Sequence, residues 1–154
     1  MPSTEKRIIG WREWITLPDL GGDPLKAKID TGARTSAVHA PGYEIAPGED
    51  GKDWVRFRIH PSPQAHLDGD PGHECHLPVA AMRQVKDSGG HTSVRPFVKA
   101  HAMIGGFTWE IELSLTDRTG MKFTMLLGRT ALSGNFHVNP AASYLLSSPP
   151  EKLS

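Results

Sequence analysis

Asp30-Thr31-Gly32-Ala33 closes a short run of alternating apolar and polar residues, and Leu126-Leu127-Gly128-Arg129 closes another later in the chain. A carboxylate on a tight Thr-Gly loop can be held against a second copy of itself, so that the pair shares one proton and activates a water molecule. Read alone, Asp-Thr-Gly is an ordinary turn, because Asp and Gly are favoured wherever a strand must stop and reverse. The flanking residues argue for more. Leu25-Lys26-Ala27-Lys28-Ile29 alternates as a half-buried strand does and delivers Asp30 to its end. Lys122-Phe123-Thr124-Met125 leads in the same way into Leu126-Leu127-Gly128, where the glycine lets a second backbone pass close to the carboxylate loop.

A second set of chemically capable residues is His73-Glu74-Cys75-His76, with His60 and His66 upstream. These are zinc-ligand types, but their spacing is irregular, they follow Pro71-Gly72, and no His-Glu-x-x-His helix exists. They read as exposed loop residues, and no metal is expected. His39 lies close behind the Asp30 loop and is placed to support it, whereas His91, His101 and His137 stand apart as structural or exposed residues. There is no phosphate-binding Gly-x-x-x-x-Gly-Lys-Ser/Thr loop and no Gly-x-Gly-x-x-Gly opening a helix, so no nucleotide or other cofactor is expected.

The elements that must position these residues are strands. The chain has 154 residues, enough for one domain with a real core, here 1–146 followed by a frayed tail over 147–154. Its 17 basic and 17 acidic residues cancel, so no global field points to nucleic acid or an anionic membrane. Met1 to Arg7 lacks the apolar core of a secretion signal, no segment approaches a membrane span, and the single Cys75 excludes an intrachain disulfide. A cytoplasmic protein is expected. Period-two stretches rich in Val, Ile, Thr, Trp and Phe indicate an all-β domain. The expected strands are Ile8–Leu17, Leu25–Ile29, Trp54–Ile59, Val79–Val85, Val94–Ile104, Phe107–Thr116, Met121–Leu127 and Phe136–Val138. Gly105-Gly106 and Asp117-Arg118-Thr119-Gly120 read as hairpin connections, Pro61–Gly72 as a loop, and Arg129–Leu132 as the one short helix.

Lys28 to Ala40, Arg95-Pro96-Phe97-Val98 and Met125 to Leu132 together resemble the retropepsin-like aspartic peptidases, and the resemblance covers most of the chain. Within that family it is similar to a bacterial group labelled "ATP-dependent zinc protease", whose genes are associated with ATP-grasp ligases that add glutamate tails to ribosomal protein. The resemblance implies a closed acid-protease β-barrel with a flap hairpin, here Met82–Val98 with Asp87-Ser88-Gly89-Gly90 at its tip. Trp54–Pro71 reads as an insertion relative to the viral enzymes. It implies a homodimer, since one chain supplies one Asp-Thr-Gly. Asp30 then serves as base and acid, Thr31 braces the loop, and Gly32 and Ala33 leave room for the substrate backbone. The viral enzymes usually carry a second aspartate after Asp-Thr-Gly-Ala, and this chain has Arg34 there. Arg34 and Arg129 would then stand near one another, an arrangement that is costly unless an anion lies between them, which makes a substrate carboxylate the expected occupant. Gly89, Gly90 and Arg95 on the flap complete the expected substrate-binding set.

Three functions follow. The first is an aspartic endopeptidase acting on extended, acidic, glutamate-rich chains. The second is a module that captures acidic tails without cleaving them and regulates a glutamate ligase. The third is a metal-dependent peptidase built on the histidine-rich segment.

Overall fold

The computed structural model describes residues 6–87 and 89–150, and its element order is almost entirely strands. They are β1 (Arg7–Gly10), β2 (Arg12–Thr16), β3 (Pro24–Asp30), β4 (Ser36–His39), β5 (Glu44–Pro47), β6 (Asp53–Ile59), β7 (His73–Pro78), β8 (Ala81–Lys86), β9 (Thr92–Ile104), β10 (Phe107–Thr116), β11 (Met125–Gly128) and β12 (Phe136–Asn139). The short helix α1 spans Arg129–Leu132, and 3-10 turns lie at Pro18–Leu20 and Ala65–Asp68.

The main sheet runs β10-β4-β11-β3-β2-β9-β8, and β9 also pairs with β10, so the sheet closes on itself as a barrel with β8 attached outside the ring. Alternation builds its interior. Leu25, Ala27 and Ile29 from β3 point inward, as do Ala100, Ala102 and Ile104 from β9 and Ile111, Leu113 and Leu115 from β10. Beside the barrel, β5, β6 and β7 form a separate antiparallel sheet, and its Val55, Phe57, Ile59 and Cys75 join the same continuous core. Of the region expected as an insertion, Trp54–Pro71, β6 is the central strand of this sheet, and β5 and β7 pair with it from either side of that span. A parallel pair, β1 with β12, completes the fold.

Several expected boundaries change for physical reasons. The single strand over Ile8–Leu17 is two, because the chain turns after Gly10, where a Cβ would lie 2.6 Å from the Ala142 carbonyl oxygen. The strand expected from Val79 begins at Ala81, after the Val79 and Ala80 amides have bonded to the Asp53 and Phe97 carbonyls. Met121–Leu127 is a strand only from Met125. Arg118 and Met121 close a turn, and the Phe123 carbonyl accepts the Arg118 side chain instead of a neighbouring strand. Asp117-Arg118-Thr119-Gly120 is therefore not a hairpin connection, since β11 inserts between β3 and β4 and does not pair with β10. Three strands went unforeseen. β4 is buried at all four residues and shows no alternation, β5 ends on Pro47 at an exposed edge, and β7 is the histidine-rich segment read as loop.

Candidate functional site: the Asp30 loop and its groove

Asp30 is the last residue of β3 and stands in register with Gly128 of β11. The two motifs singled out in the sequence are therefore neighbours. β11 threads between β3 and β4 because Gly128 has no side chain: a Cβ there would lie 2.4 Å from the Thr35 carbonyl oxygen. The contact is locked from both sides, with the buried Ser36 hydroxyl accepting the Gly128 amide at 3.0 Å and the Arg129 amide donating to the Ala33 carbonyl at 2.7 Å.

The Asp30 carboxylate is held by its own loop. Its Oδ1 accepts the backbone N–H groups of Gly32 at 2.9 Å and Ala33 at 3.2 Å, leaving Oδ2 free among the described residues. Thr31 and Gly32 are exposed. The Thr31 carbonyl accepts Arg129 Nη1 at 3.4 Å, but its hydroxyl makes no hydrogen bond among the described residues, so the expected bracing by that hydroxyl is not seen within the chain.

A groove of about 1630 Å³ opens in front of this loop, lined by Asp30, Gly32, Ala33 and Arg34 on one side and by the β8–β9 hairpin on the other. The hairpin pairs from Ala81 with Phe97 to Lys86 with Thr92, and contributes Arg83, Lys86, Asp87 and Arg95 to the groove. At its tip Asp87 Oδ1 accepts the Gly89 and His91 amides, both at 2.9 Å, and Gly90 takes a positive φ of 85°. These bonds hold the Asp87 carboxyl below the ordinary range. Ser88 lies outside the described residues.

The expected substrate-binding residues are not all gathered in one place. Ala33, Arg34 and Arg95 line the groove, whereas Gly89 and Gly90 at the hairpin tip do not. Arg129 lines a separate depression with Thr31, Leu132 and His137. Both Arg34 and Arg129 are exposed.

Residues invisible to the sequence reading complete the site. Arg118 is only 8% exposed, yet it lines the same groove as Asp30. Burial lowers its pKa, the Arg95 charge adds to that, and the Asp30 carboxylate opposes both. Its backbone N–H donates to His39 Nδ1 at 2.8 Å, which fixes His39 as the tautomer protonated on Nε2. That Nε2–H points to His66 Nδ1 at 3.3 Å, His66 Nε2 lies 3.4 Å from the Thr119 hydroxyl, and Thr119 donates to Asp117. His39 is fully buried, and its pKa falls to about 4. Burial is the main cause, with the His66, His60 and Arg118 charges acting the same way and Asp117 opposing. The expected support from His39 is thus exerted on the Arg118 loop. Asp117, read as a turn residue, accepts the Thr119 amide and hydroxyl through Oδ1.

The histidine-rich segment does not assemble a metal centre. On β7, His73 and Cys75 alternate with Glu74 and His76 to opposite faces, and His76 instead packs against Trp54. Burial pushes the Cys75 thiol up to about 11, the reverse of what a thiolate ligand needs. His39, His60 and His66 do come together, with ring centroids 5.0 to 6.3 Å apart. Five of their six nitrogens face the Arg118 amide, Asp70, the Thr119 hydroxyl or one another, and no group of three or more His, Cys, Asp or Glu among the described residues is arranged to hold an ion. A zinc ion implied by the group's label does not fit these residues.

A family model described as RimB-like, retropepsin-like aspartic endopeptidase RimB, matches residues 8–149. The chain belongs to the RimB-like family. It is also 37% identical over 136 residues to a probable alpha-L-glutamate ligase of Desulfotalea psychrophila, covering 88% of this chain and 28% of that protein. A probable alpha-L-glutamate ligase of Shewanella pealeana is 39% identical over 148 residues, covering 94% of this chain and 31% of that protein. The chain therefore spans about a third of the length of these curated relatives. Among solved structures it resembles Lpg0085 of Legionella pneumophila, a protein of unknown function, with a TM-score of 0.71, 26% identity, and 92% and 98% of the two chains covered. As a RimB-like chain it has the retropepsin-like fold that its closed barrel displays.

Proposed function

We propose that this chain is an aspartic endopeptidase that hydrolyses extended, acidic, glutamate-rich chains, working as a homodimer in the cytoplasm. The observation that carries the proposal is the Asp30 carboxylate, fixed through Oδ1 by two loop amides at the floor of a long groove, with Oδ2 free. A second Asp30, from a partner copy, supplies the carboxyl that one chain lacks. Two carboxyls at hydrogen-bonding distance cannot both ionise. The ionised one takes a proton from water as the water oxygen bonds to the peptide carbonyl carbon. The protonated one donates to the carbonyl oxygen, and collapse of the resulting diol sends a proton to the departing amine nitrogen. The β8–β9 hairpin covers an extended substrate, which adds backbone hydrogen bonds as strand-addition ligands do.

The acidic preference is supported by the basic residues facing the groove, including Lys28, Arg34, Lys86, Arg95 and Arg118, which outnumber its carboxylates: Glu112 is paired with Arg83, Asp87 and Asp117 each have Oδ1 engaged by neighbouring donors, and Glu110 is exposed. The relatives named glutamate ligases carry a matching segment within a longer chain, which supports a ligase as working partner. The same basic lining favours a second reading, a capture module that binds acidic tails without cutting them.

Mass spectrometry of an oligo-glutamate-tailed peptide distinguishes the two. Wild type is expected to cleave it with or without chelator, and Asp30→Asn to lose at least about 10³-fold in rate. Equal cleavage by both proteins would refute the Asp30 mechanism, and binding without cleavage would establish the capture module.

A further inference from the structure

Arg118 is a buried cation without a counter-ion. It is 8% exposed, and among the described residues no carboxylate lies within ion-pair distance of it. Buried charges are ordinarily paired, because desolvation of a lone guanidinium is expensive. Asp30, whose charge acts on it across the groove, is engaged through Oδ1 with its own loop amides.

The guanidinium is held in place with part of it free. Nε donates to the Phe123 carbonyl at 2.8 Å, the backbone N–H to His39 Nδ1 at 2.8 Å, and the Arg118 carbonyl accepts the Met121 amide at 2.8 Å. The loop is clamped further by Gln64, whose amide reaches the Thr119 and Met121 carbonyls. The Nη nitrogens have no such partner among the described residues. Among the described residues the one fully buried side-chain polar atom without a hydrogen bond is Trp14 Nε1, so the Nη groups retain contact with the groove that Arg118 lines. A rigid, partly desolvated guanidinium with open donors is preorganised for a carboxylate, and Arg95 on the opposing hairpin adds charge of the same sign.

The geometry points to Arg118 as the specificity-determining residue of the groove, a fixed guanidinium that receives a side-chain carboxylate of the bound chain next to Asp30. This inference rests on the peptidase reading only for the cut itself; the carboxylate subsite exists whether or not the chain is cleaved. The exposed Arg34 lacks this fixation and contributes attraction without selecting a position.

The test uses a glutamate-rich peptide and a series in which one Glu at a time is replaced by Gln. Binding is measured on Asp30→Asn and on Asp30→Asn combined with Arg118→Gln or Arg118→Lys, and cleavage on the same Arg118 variants with Asp30 intact. Arg56→Gln, at an exposed position of β6 away from the groove, serves as the distal control, and thermal unfolding checks that each variant is folded. Arg118→Gln should weaken the all-Glu peptide about 10- to 100-fold and erase the preference for Glu over Gln at one position. Arg118→Lys should keep part of that preference. Equal weakening of the Glu and Gln peptides, or a preference unchanged by either variant, overturns the assignment. Binding preference that depends on Arg118 without any cleavage by wild type leaves the subsite standing and refutes the peptidase reading. Asp30-dependent cleavage whose preference ignores Arg118 does the reverse.

Discussion

Acid should loosen this fold through the buried imidazole of His39. His39 is fully buried, and its pKa falls from 6.5 to about 4, chiefly through burial. A base with a depressed pKa binds its proton more readily in the unfolded chain. Its contribution is therefore complete above pH 6.5 and is lost as the pH falls toward 4. Integrating the difference in protons bound gives a loss of about 2 kcal/mol between pH 7 and pH 5, and about 3 kcal/mol in the limit of low pH. The lowered carboxyls of Asp19 and Asp117 release their contributions only at lower pH, so they leave this window clear. The assay is urea unfolding at half-unit intervals from pH 7.5 to 4.5, for wild type and for His39→Asn, whose side-chain oxygen can still accept the Arg118 amide. Subtracting the two curves removes the titrating groups that do not interact with His39, leaving its own titration and its coupling to His60, His66 and Asp117. The difference should shrink by about 2 kcal/mol from pH 7 to pH 5. A difference independent of pH would refute the reasoning, because it would mean that His39 titrates alike in the folded and unfolded chain.

Two further substitutions probe the frame around the site. Gly128→Ala forces a Cβ to within 2.4 Å of the Thr35 carbonyl oxygen, so it should destabilise the fold by at least about 3 kcal/mol in denaturant unfolding. Glu13 is fully buried and accepts the amides of Gly10, Leu145 and Leu146 and the Ser147 hydroxyl. Glu13→Ala strands those donors and should cost about 3 kcal/mol, with limited proteolysis cutting near Leu145 well before the barrel opens.

Asp30 and Gly128 were legible because each closes a locally alternating run, and period-two alternation survives in any sequence whose strands have one buried face. The helix over Arg129–Leu132 and the hairpin turn at Gly105-Gly106 were legible for similarly local reasons, the latter with φ of 52° and 81° at its two glycines. β4 was not, because both faces of Ser36–His39 are buried and nothing alternates. His73-Glu74-Cys75-His76 concealed a strand behind ligand-type side chains. Ser147, read as the start of a frayed tail, is instead tied to Glu13 and to the Trp14 amide, contacts from the far end of the sequence. Arg118 was the costliest omission. It sits in a run of turn residues, and the bond that turns it inward comes from His39, 79 positions earlier. No local pattern records a contact of that span.

The central claim is that two copies of Asp30 form one catalytic site, and a mixed dimer tests it most directly. Wild type and Asp30→Asn, co-expressed with different tags and purified through both, give a dimer carrying a single Asp30. Assayed on the oligo-glutamate-tailed peptide, that dimer should show less than about 1% of wild-type activity, since the remaining carboxyl has no partner with which to share a proton. Half of the wild-type activity would show that each chain works alone, and failure of the two tagged chains to co-purify would contradict the shared site.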